Sequence, residues 1–517
     1  MAGVQQMIRR ARLVGATVGE ASASGLIGPP EPVDILLTDG RIAAIGPDLP
    51  ATGAHEIEAD GRWASPGLWD HHVHLGQWTV NRGWIDLSGT GSPAEVLDRV
   101  RQVLPTTRPG QAIFGFGFRL AVWEERAMVA DLDAMCDDRP IILISGDAHN
   151  GWLNSSAQRV LGATPHESVI EELEWFDLYA RVGEVFDVSP TVYDYSATIE
   201  AAHRMGVVGI VDLEFEPGFR RWAERIEQQV APLRVRTGVY PVDLEDVIAA
   251  GLHSGAPIAG SELVRMGPLK IISDGALNTR TAYCCQPYTD SEPGNPLRGT
   301  LNYSLAEVTE LMRRATDAGL EIAIHGIGDA ATRQSLDAFE ASGATGSIEH
   351  GQLVRYRDIP RIARLGIRAS VQPAHLLDDR DVANHCWSDR TDRCFSFASM
   401  LQAGVDLRLG SDAPVAPLDP WLAMAAAVHR SADDREPWHP EQNLTAHQAW
   451  RASLDEPGPL APGRPADLVL LDRDPLHVQG GRAAVRVDRD TGRAAQWLRQ
   501  TMVDLTMIDG EVVHSTL

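Results

Sequence analysis

The chain has 517 residues, 44% hydrophobic and 23% charged, a globular balance that excludes disorder. Its net charge of −25 argues against nucleic acid and anionic membrane surfaces as partners. No apolar run approaches the ~20 residues a membrane helix needs, and no apolar segment follows Arg9, Arg10 and Arg12 as a secretory signal requires.

In chain order, the first elements are short strands. Val33–Leu49 and His55–Ser65 carry strand runs joined by Asp-Gly turns, and Ala466–Asp472 and Met502–His514 repeat that texture near the other end. Residues 1–65 and 456–517 are therefore expected to pair into one small composite β-sandwich. Residues 66–455 differ. Helical stretches such as Leu305–Gly319 alternate with short apolar strands such as Leu320–Asp329, which predicts an α/β fold with a parallel sheet closed into a (β/α)8 TIM-type barrel. Residues 76–145 fit the alternation poorly and are expected to form an insertion over the barrel mouth. The Gly/Pro-rich segment 455–467 is the linker back to the sandwich. The five cysteines, Cys136, Cys284, Cys285, Cys386 and Cys394, form no Cys-x-x-Cys pair, so reduced thiols and a cytoplasmic location are expected.

Candidate chemistry begins at "SPGLWDHHVHLG", Ser65–Gly76. His72 and His74 stand at i and i+2, on one side of a strand, so two imidazoles can grip one ion, while His71 points the other way. Next comes Lys270, the only lysine in the chain, in "GPLKIISDG". Its apolar neighbours read as a buried strand, where a bare ammonium is costly. A desolvated lysine amine, unlike a guanidinium, can lose its proton and act as a nucleophile. It can then add carbon dioxide to become a carbamate, a carboxylate able to bridge two metal ions. Then His325 ends "EIAIH", His350 ends "GSIEH", and Asp412 follows "LRLGS". Each is a polar residue where an apolar strand meets a loop, the C-terminal face of a β/α barrel where active sites form.

These residues, with "GDAHNGWLNSSA", "LKIISDGALNTRTA", "AIHGIGDAA", "IEHGQLV", "SVQPAH", "LGSDAPV" and "PADLVLLD", resemble the amidohydrolase superfamily over nearly the whole chain. The resemblance is closest to amidohydrolase family 3, the YtcJ-like branch that includes N-substituted formamide deformylases. It implies that His72 and His74 bind a first metal, that carbamylated Lys270 bridges, that His325 and His350 bind a second, and that Asp412 ligates the first and shuttles protons. It implies one or two divalent ions, and imidazole and carboxylate donors suit zinc. His149 and Asn154 match a family segment near the substrate, although Asn154 reads equally as a helix cap. Gln372 and His375 are expected at the rim. Arg280 either contacts substrate or pairs with Asp274. Trp78, Trp84, Trp123 and Trp152 either line an apolar pocket or fill core.

The expected activity is hydrolysis of an amide, N-formyl or N-acyl bond of a small molecule by metal-activated water. A mononuclear deaminase or lactonase on the same barrel, and a catalytically inactive scaffold, are the alternatives. The resemblance also implies a homo-oligomer, a dimer.

Overall fold

A computed structural model describes residues 5–15, 31–50, 53–108, 110–120, 123–186, 189–292, 294–433, 435–478, 485–486 and 490–517. Eight parallel strands form the central sheet: β1 (Leu68–Val73), β2 (Val207–Asp212), β3 (Arg234–Val239), β4 (Val264–Ile272), β5 (Ile322–Gly326), β6 (Gly346–His350), β7 (Arg368–Val371) and β8 (Leu407–Leu409). Each pairs with the next in register steps such as Lys270 to Ala323 and Gly326 to His350. β1, β5 and β6 are buried along their whole length, so the polar residues they carry, His72, His325, Glu349 and His350 among them, lie inside the barrel.

The barrel closes between β8 and β1 just beyond the regular strands. The Asp412 N–H donates to His72 O at 2.7 Å, and the His74 N–H donates to Ala413 O at 2.9 Å. The backbones of three candidate ligands thus form the seam itself.

Both chain ends build one mixed sheet. Its strand order is Glu511–Ser515, Val503–Ile508, Leu468–Leu471, Trp63–Pro66, Gln5–Leu13, Val33–Thr38, Arg41–Gly46, with His55–Glu58 also on Gln5–Leu13. Its two halves enclose a core that includes Ile8, Ile35, Leu37, Leu468, Leu470, Leu505 and Met507. Residues 1–4 and 16–30 of the expected sandwich lie outside the described residues. The C-terminal boundary is less simple than expected. Helix Thr491–Arg499 leaves the sandwich to pack on the barrel, where His429 Nδ1 lies 3.0 Å from Thr491 Oγ1.

The insertion is longer than residues 76–145. A separate five-stranded sheet of Ile85–Asp86, Ile113–Phe118, Ile141–Ser145, Asn150–Leu153 and Ile170–Glu171 sits between β1 and β2, and helix Glu172–Val185 packs on it. The sheet carries a core on each face, one around Trp152 and Leu143, the other around Trp175 and Ile142. Residues 146–185 contain strands and helices at the spacing of a barrel unit. Antiparallel pairing, such as that of Gly151 with Ile144 and of Asn150 with Glu171, assigns them elsewhere.

Candidate metal centre

Strands β1, β4, β5 and β6 and the segment just after β8 aim polar side chains at one point. His72 on β1 lies with Nε2 3.3 Å from Lys270 Nζ on β4. The same Nε2 is 3.4 Å from Asp412 Oδ1 beyond β8, and His74 Nε2 is 3.2 Å from that oxygen. His72 Nδ1 faces Glu349 Oε2 on β6 at 2.8 Å. The rings of His72 and His350 are 5.1 Å apart, and those of His325 and His350 4.6 Å. His72, His350 and Asp412 offer one ligand atom each, all within 4.8 Å of one another.

His350 (φ 67°) and Asp412 (φ 58°) both adopt the left-handed backbone that non-glycine residues avoid. Such strain persists only where surrounding structure over-determines it, and it concentrates at functional sites. Here the barrel seam supplies the constraint at Asp412.

Burial and neighbouring charge set the protonation states. Burial pulls the Lys270 amine down, against Glu349 and Asp412. Burial and then Lys270 bring His72 to about 4. Burial alone would raise the Glu349 carboxyl, but His72, Lys270 and Ser347 outweigh it and hold it at about 2. Burial likewise opposes ionisation of Asp412, and His72, His74 and His350 overcome it, so its carboxyl stays well below the usual range. Burial thus favours the neutral imidazoles of His72 and His350 beside the ionised carboxylates of Glu349 and Asp412, the states in which imidazole and carboxylate can ligate a cation.

The donor set fits a divalent metal ion. Buried polar atoms without a hydrogen-bond partner gather here: His74 Nδ1, His350 Nδ1, Gln372 Oε1 and His375 Nε2. Imidazole and carboxylate groups of this kind match zinc and its first-row neighbours.

The amidohydrolase family profile matches residues 55–514. The chain belongs to the amidohydrolase family. Among curated relatives of this amidohydrolase, the N-substituted formamide deformylase of Arthrobacter pascens is 26% identical over 531 residues, covering 92% of this chain and 94% of that one. The protein LONG AFTER FAR-RED 3 of Arabidopsis thaliana is 28% identical over 488 residues, with 84% and 83% covered. A solved structure of an uncharacterized metal-dependent hydrolase from Pyrococcus horikoshii OT3 superposes with a TM-score of 0.73 at 25% identity, covering 92% of this chain and 98% of that chain.

Several expected site residues of the amidohydrolase take other places. Gln372 and His375 are not at the rim. Both are buried, with Gln372 Nε2 3.4 Å from His72 Nδ1 and His375 Nε2 3.8 Å from Asp412 Oδ2. Strand β7 is only four residues long and helix His375–Cys386 starts almost at once, which turns this segment inward. Asn154 is not a substrate contact. Its Oδ1 accepts from the Ala157 and Ile141 N–H groups, and its Nδ2 donates to Cys136 O and Arg139 O, so all its capacity is spent on capping a helix inside the insertion. Arg280 pairs with Asp290 at 3.0 Å, not with Asp274. Asp274 instead accepts three backbone N–H groups, from Tyr283, Ile327 and Gly328. It also lies 2.9 Å from His325 Nδ1, in a contact too poorly angled for a hydrogen bond. His149 stands in the insertion, its Nδ1 3.1 Å from Glu172 Oε2. Of the tryptophans, Trp152 is core, Trp84 stacks on Phe114, and Trp123 lines a cavity.

Two contributors escaped the sequence. Glu349 precedes His350 and orients His72. Phe215, half exposed after β2, stacks on His74 with ring centroids 5.3 Å apart. The only signal for Glu349 is an acid one residue before a strand-ending histidine; for Phe215 it is an aromatic three residues past a strand end.

Proposed function

We propose that the protein hydrolyses a C–N bond, an amide, N-formyl or N-acyl linkage, of a small molecule in a metal-dependent reaction. The observation that carries this reading is the convergence of His72, His350 and Asp412 within 4.8 Å beside the buried Lys270. His72, His74, His325, His350 and Asp412 would hold one or two divalent cations, with zinc the best match to the donors. When bound, such a cation acts as a Lewis acid toward the carbonyl and makes water acidic enough to attack at neutral pH.

The chain's own residues do the rest. Lys270, whose amine burial shifts toward the neutral form, adds carbon dioxide through Nζ. One N–C bond forms, one proton leaves, and a carbamate anion results. Glu349 fixes the His72 ring through Nδ1 and leaves Nε2 free to ligate. Asp412 turns Oδ1 toward His72 and His74 and Oδ2 toward His375. As an ionised carboxylate it takes the proton of the attacking water and returns it to the leaving nitrogen. Phe215, stacked on the His74 ring, adds an apolar surface beside the centre. The relationship to an N-substituted formamide deformylase supports the choice of a C–N bond.

The test is a panel of N-formyl, N-acyl, cyclic-amide and lactone compounds offered to zinc-, manganese- and iron-loaded protein. Hydrolysis of an N-formyl or N-acyl member that a chelator abolishes is the expected result. Turnover confined to lactones or to amidine carbons would replace this reading.

A further inference from the structure

Glu214 lies just past β2, buried, and spends both carboxylate oxygens on the two segments that hold His74. Oε2 accepts from the Gln77 N–H at 2.8 Å, in the first turn of the helix that follows His74. Oε1 accepts from Gln77 Nε2 at 3.1 Å and from the Phe215 N–H at 2.9 Å, and Phe215 is the residue whose ring stacks on His74. We propose that Glu214 is a positioning residue for the metal ligand His74: one carboxylate fixes both the backbone that carries the imidazole and the aromatic face it rests on. The inference rests on the reading of His74 as a ligand made above, and not on which bond is cleaved.

His74 needs such a device because its ring lacks the usual one. A metal-ligating imidazole is normally fixed by a hydrogen bond at its second nitrogen. Glu349 provides that bond for His72, whereas His74 Nδ1 is buried without a partner. Placement of the His74 ring therefore falls to its backbone and its packing. The backbone turns at His74 from β1 into helix Leu75–Asn81, and the His74 side chain does not cap that helix. The first N–H groups of a helix have no partner within it. Residues at the end of β2 supply the acceptors instead. Asp212 Oδ1 accepts from the Leu75 N–H at 3.2 Å, and Glu214 takes the Gln77 N–H. Both carboxylates suit the positive end of the helix dipole. The Leu213 N–H completes the tie by donating to Val73 O at 2.7 Å.

The surroundings hold this clamp still. Tyr240 Oη donates to Leu213 O at 2.9 Å, and its ring stacks on Phe215 with centroids 5.0 Å apart. Trp222 Nε1 donates to Asp212 Oδ2 at 2.8 Å. Glycine at position 76 lets the carboxylate in, because a Cβ there would lie 2.9 Å from Glu214 Oε2 and 3.1 Å from Tyr195 Oη. Arg225 donates to Glu216 and to Tyr195 Oη and forms no ion pair with Glu214. Glu214→Gln therefore removes a charge without stranding a cation, and it eases repulsion with Asp212 and Glu216. It also places an N–H donor where the carboxylate only accepts, so at least one of the three bonds is lost.

Zinc affinity, from competition with a chromogenic chelator, and the visible spectrum of the cobalt(II)-saturated protein test the proposal in the parent, Glu214→Gln, His74→Ala and the double variant. Glu214→Gln should weaken zinc binding about tenfold, the lower end of what loss of a partner that orients a ligand costs, and should alter the cobalt spectrum at saturation. His74→Ala should weaken binding more, and adding Glu214→Gln to it should cost nothing further, because a residue that acts through His74 then has nothing to act on. Ser304→Ala, which uncaps helix Leu305–Asp317, controls for simple destabilisation and should keep the parent affinity and spectrum. Parent-like affinity and spectrum in Glu214→Gln, or full additivity in the double variant, would overturn the proposal while His74 remains a ligand. Parent-like affinity in His74→Ala would instead overturn the reading of the site, and the proposal with it. If Glu214→Gln fails to fold, Glu214→Asp, whose shorter side chain falls short of the Gln77 N–H, decides by the same measurements.

Discussion

Lys270 Nζ meets His72 Nε2 at 3.3 Å across the barrel interior, from strands that are not neighbours in the sheet. The contact joins the chain's only lysine to the nitrogen of His72 that Glu349 leaves free. A protonated amine would sit poorly against a metal ligand, whereas a carbamate there would complete the donor set. Lys270→Arg places a permanent cation at that point, because guanidinium does not lose its proton. The variant should purify folded but without metal, and its rate should fall by more than the roughly 10- to 100-fold that loss of a supporting group costs. Lys270→Ala should regain part of its turnover when acetate or propionate is added. Elemental analysis and rates with and without the acids check both, and full metal occupancy in Lys270→Arg would reduce Lys270 to a structural cation.

Glu349 should matter chiefly through His72. It lies 2.8 Å from His72 Nδ1 and is itself held by Ser347, so it sets the ring's tautomer and orientation. Glu349→Gln keeps the shape but weakens the hold. Metal affinity should fall roughly 10- to 100-fold, the usual cost of losing such a partner. Competition with a chelator of known affinity measures this. Unchanged affinity would show that His72 is oriented by packing instead.

How much of this was legible beforehand follows from what each pattern can express. His72, His74, Lys270, His325, His350 and Asp412 stood out because a polar residue interrupting or ending an apolar strand is anomalous. The barrel and the pairing of both chain ends followed from periodicity and turn residues. Sheet membership did not follow, because residues 146–185 repeat the strand-helix spacing of the barrel while pairing with Ile141–Ser145. Gln372 and His375 read as loop residues, and only the shortness of β7 carries them inward. The partnership of Glu349 with His72 spans 277 positions and leaves no local trace.

The insertion core makes a sharper structural prediction. A Cβ at Gly151 would lie 2.3 Å from the Trp175 ring, and Trp175 is wholly buried and donates to Ala148 O. Neither partner can move freely, so Gly151→Ala overpacks the sheet by about 1–3 kcal/mol. The damage should stay in the insertion. Limited proteolysis is expected to cut the variant within residues 85–185 first, while metal content remains near that of the parent. Uniform proteolysis across the chain would mean the insertion does not fold as a separate unit.

Acid should destabilise the protein in part through His203, far from the metal centre. His203 lies in the last turn of helix Val192–Arg204, almost fully buried, with Nε2 2.8 Å from Pro232 O and Nδ1 without a partner. Burial, opposed by Pro232 O, brings its pKa down from 6.5 to about 4. The folded state therefore holds fewer protons than the unfolded one between those values. Its contribution is fully present above pH 6.5 and is lost as pH falls toward 4, by about 3 kcal/mol in all. His203→Gln keeps a donor for Pro232 O and removes the titration. Between pH 7 and pH 4.5 the wild type should lose about 2–3 kcal/mol more than the variant, read from urea midpoints in matched buffers. Parallel losses in the two proteins would mean that water or a shifted helix end accommodates the imidazolium, and that His203 does not set the acid limit.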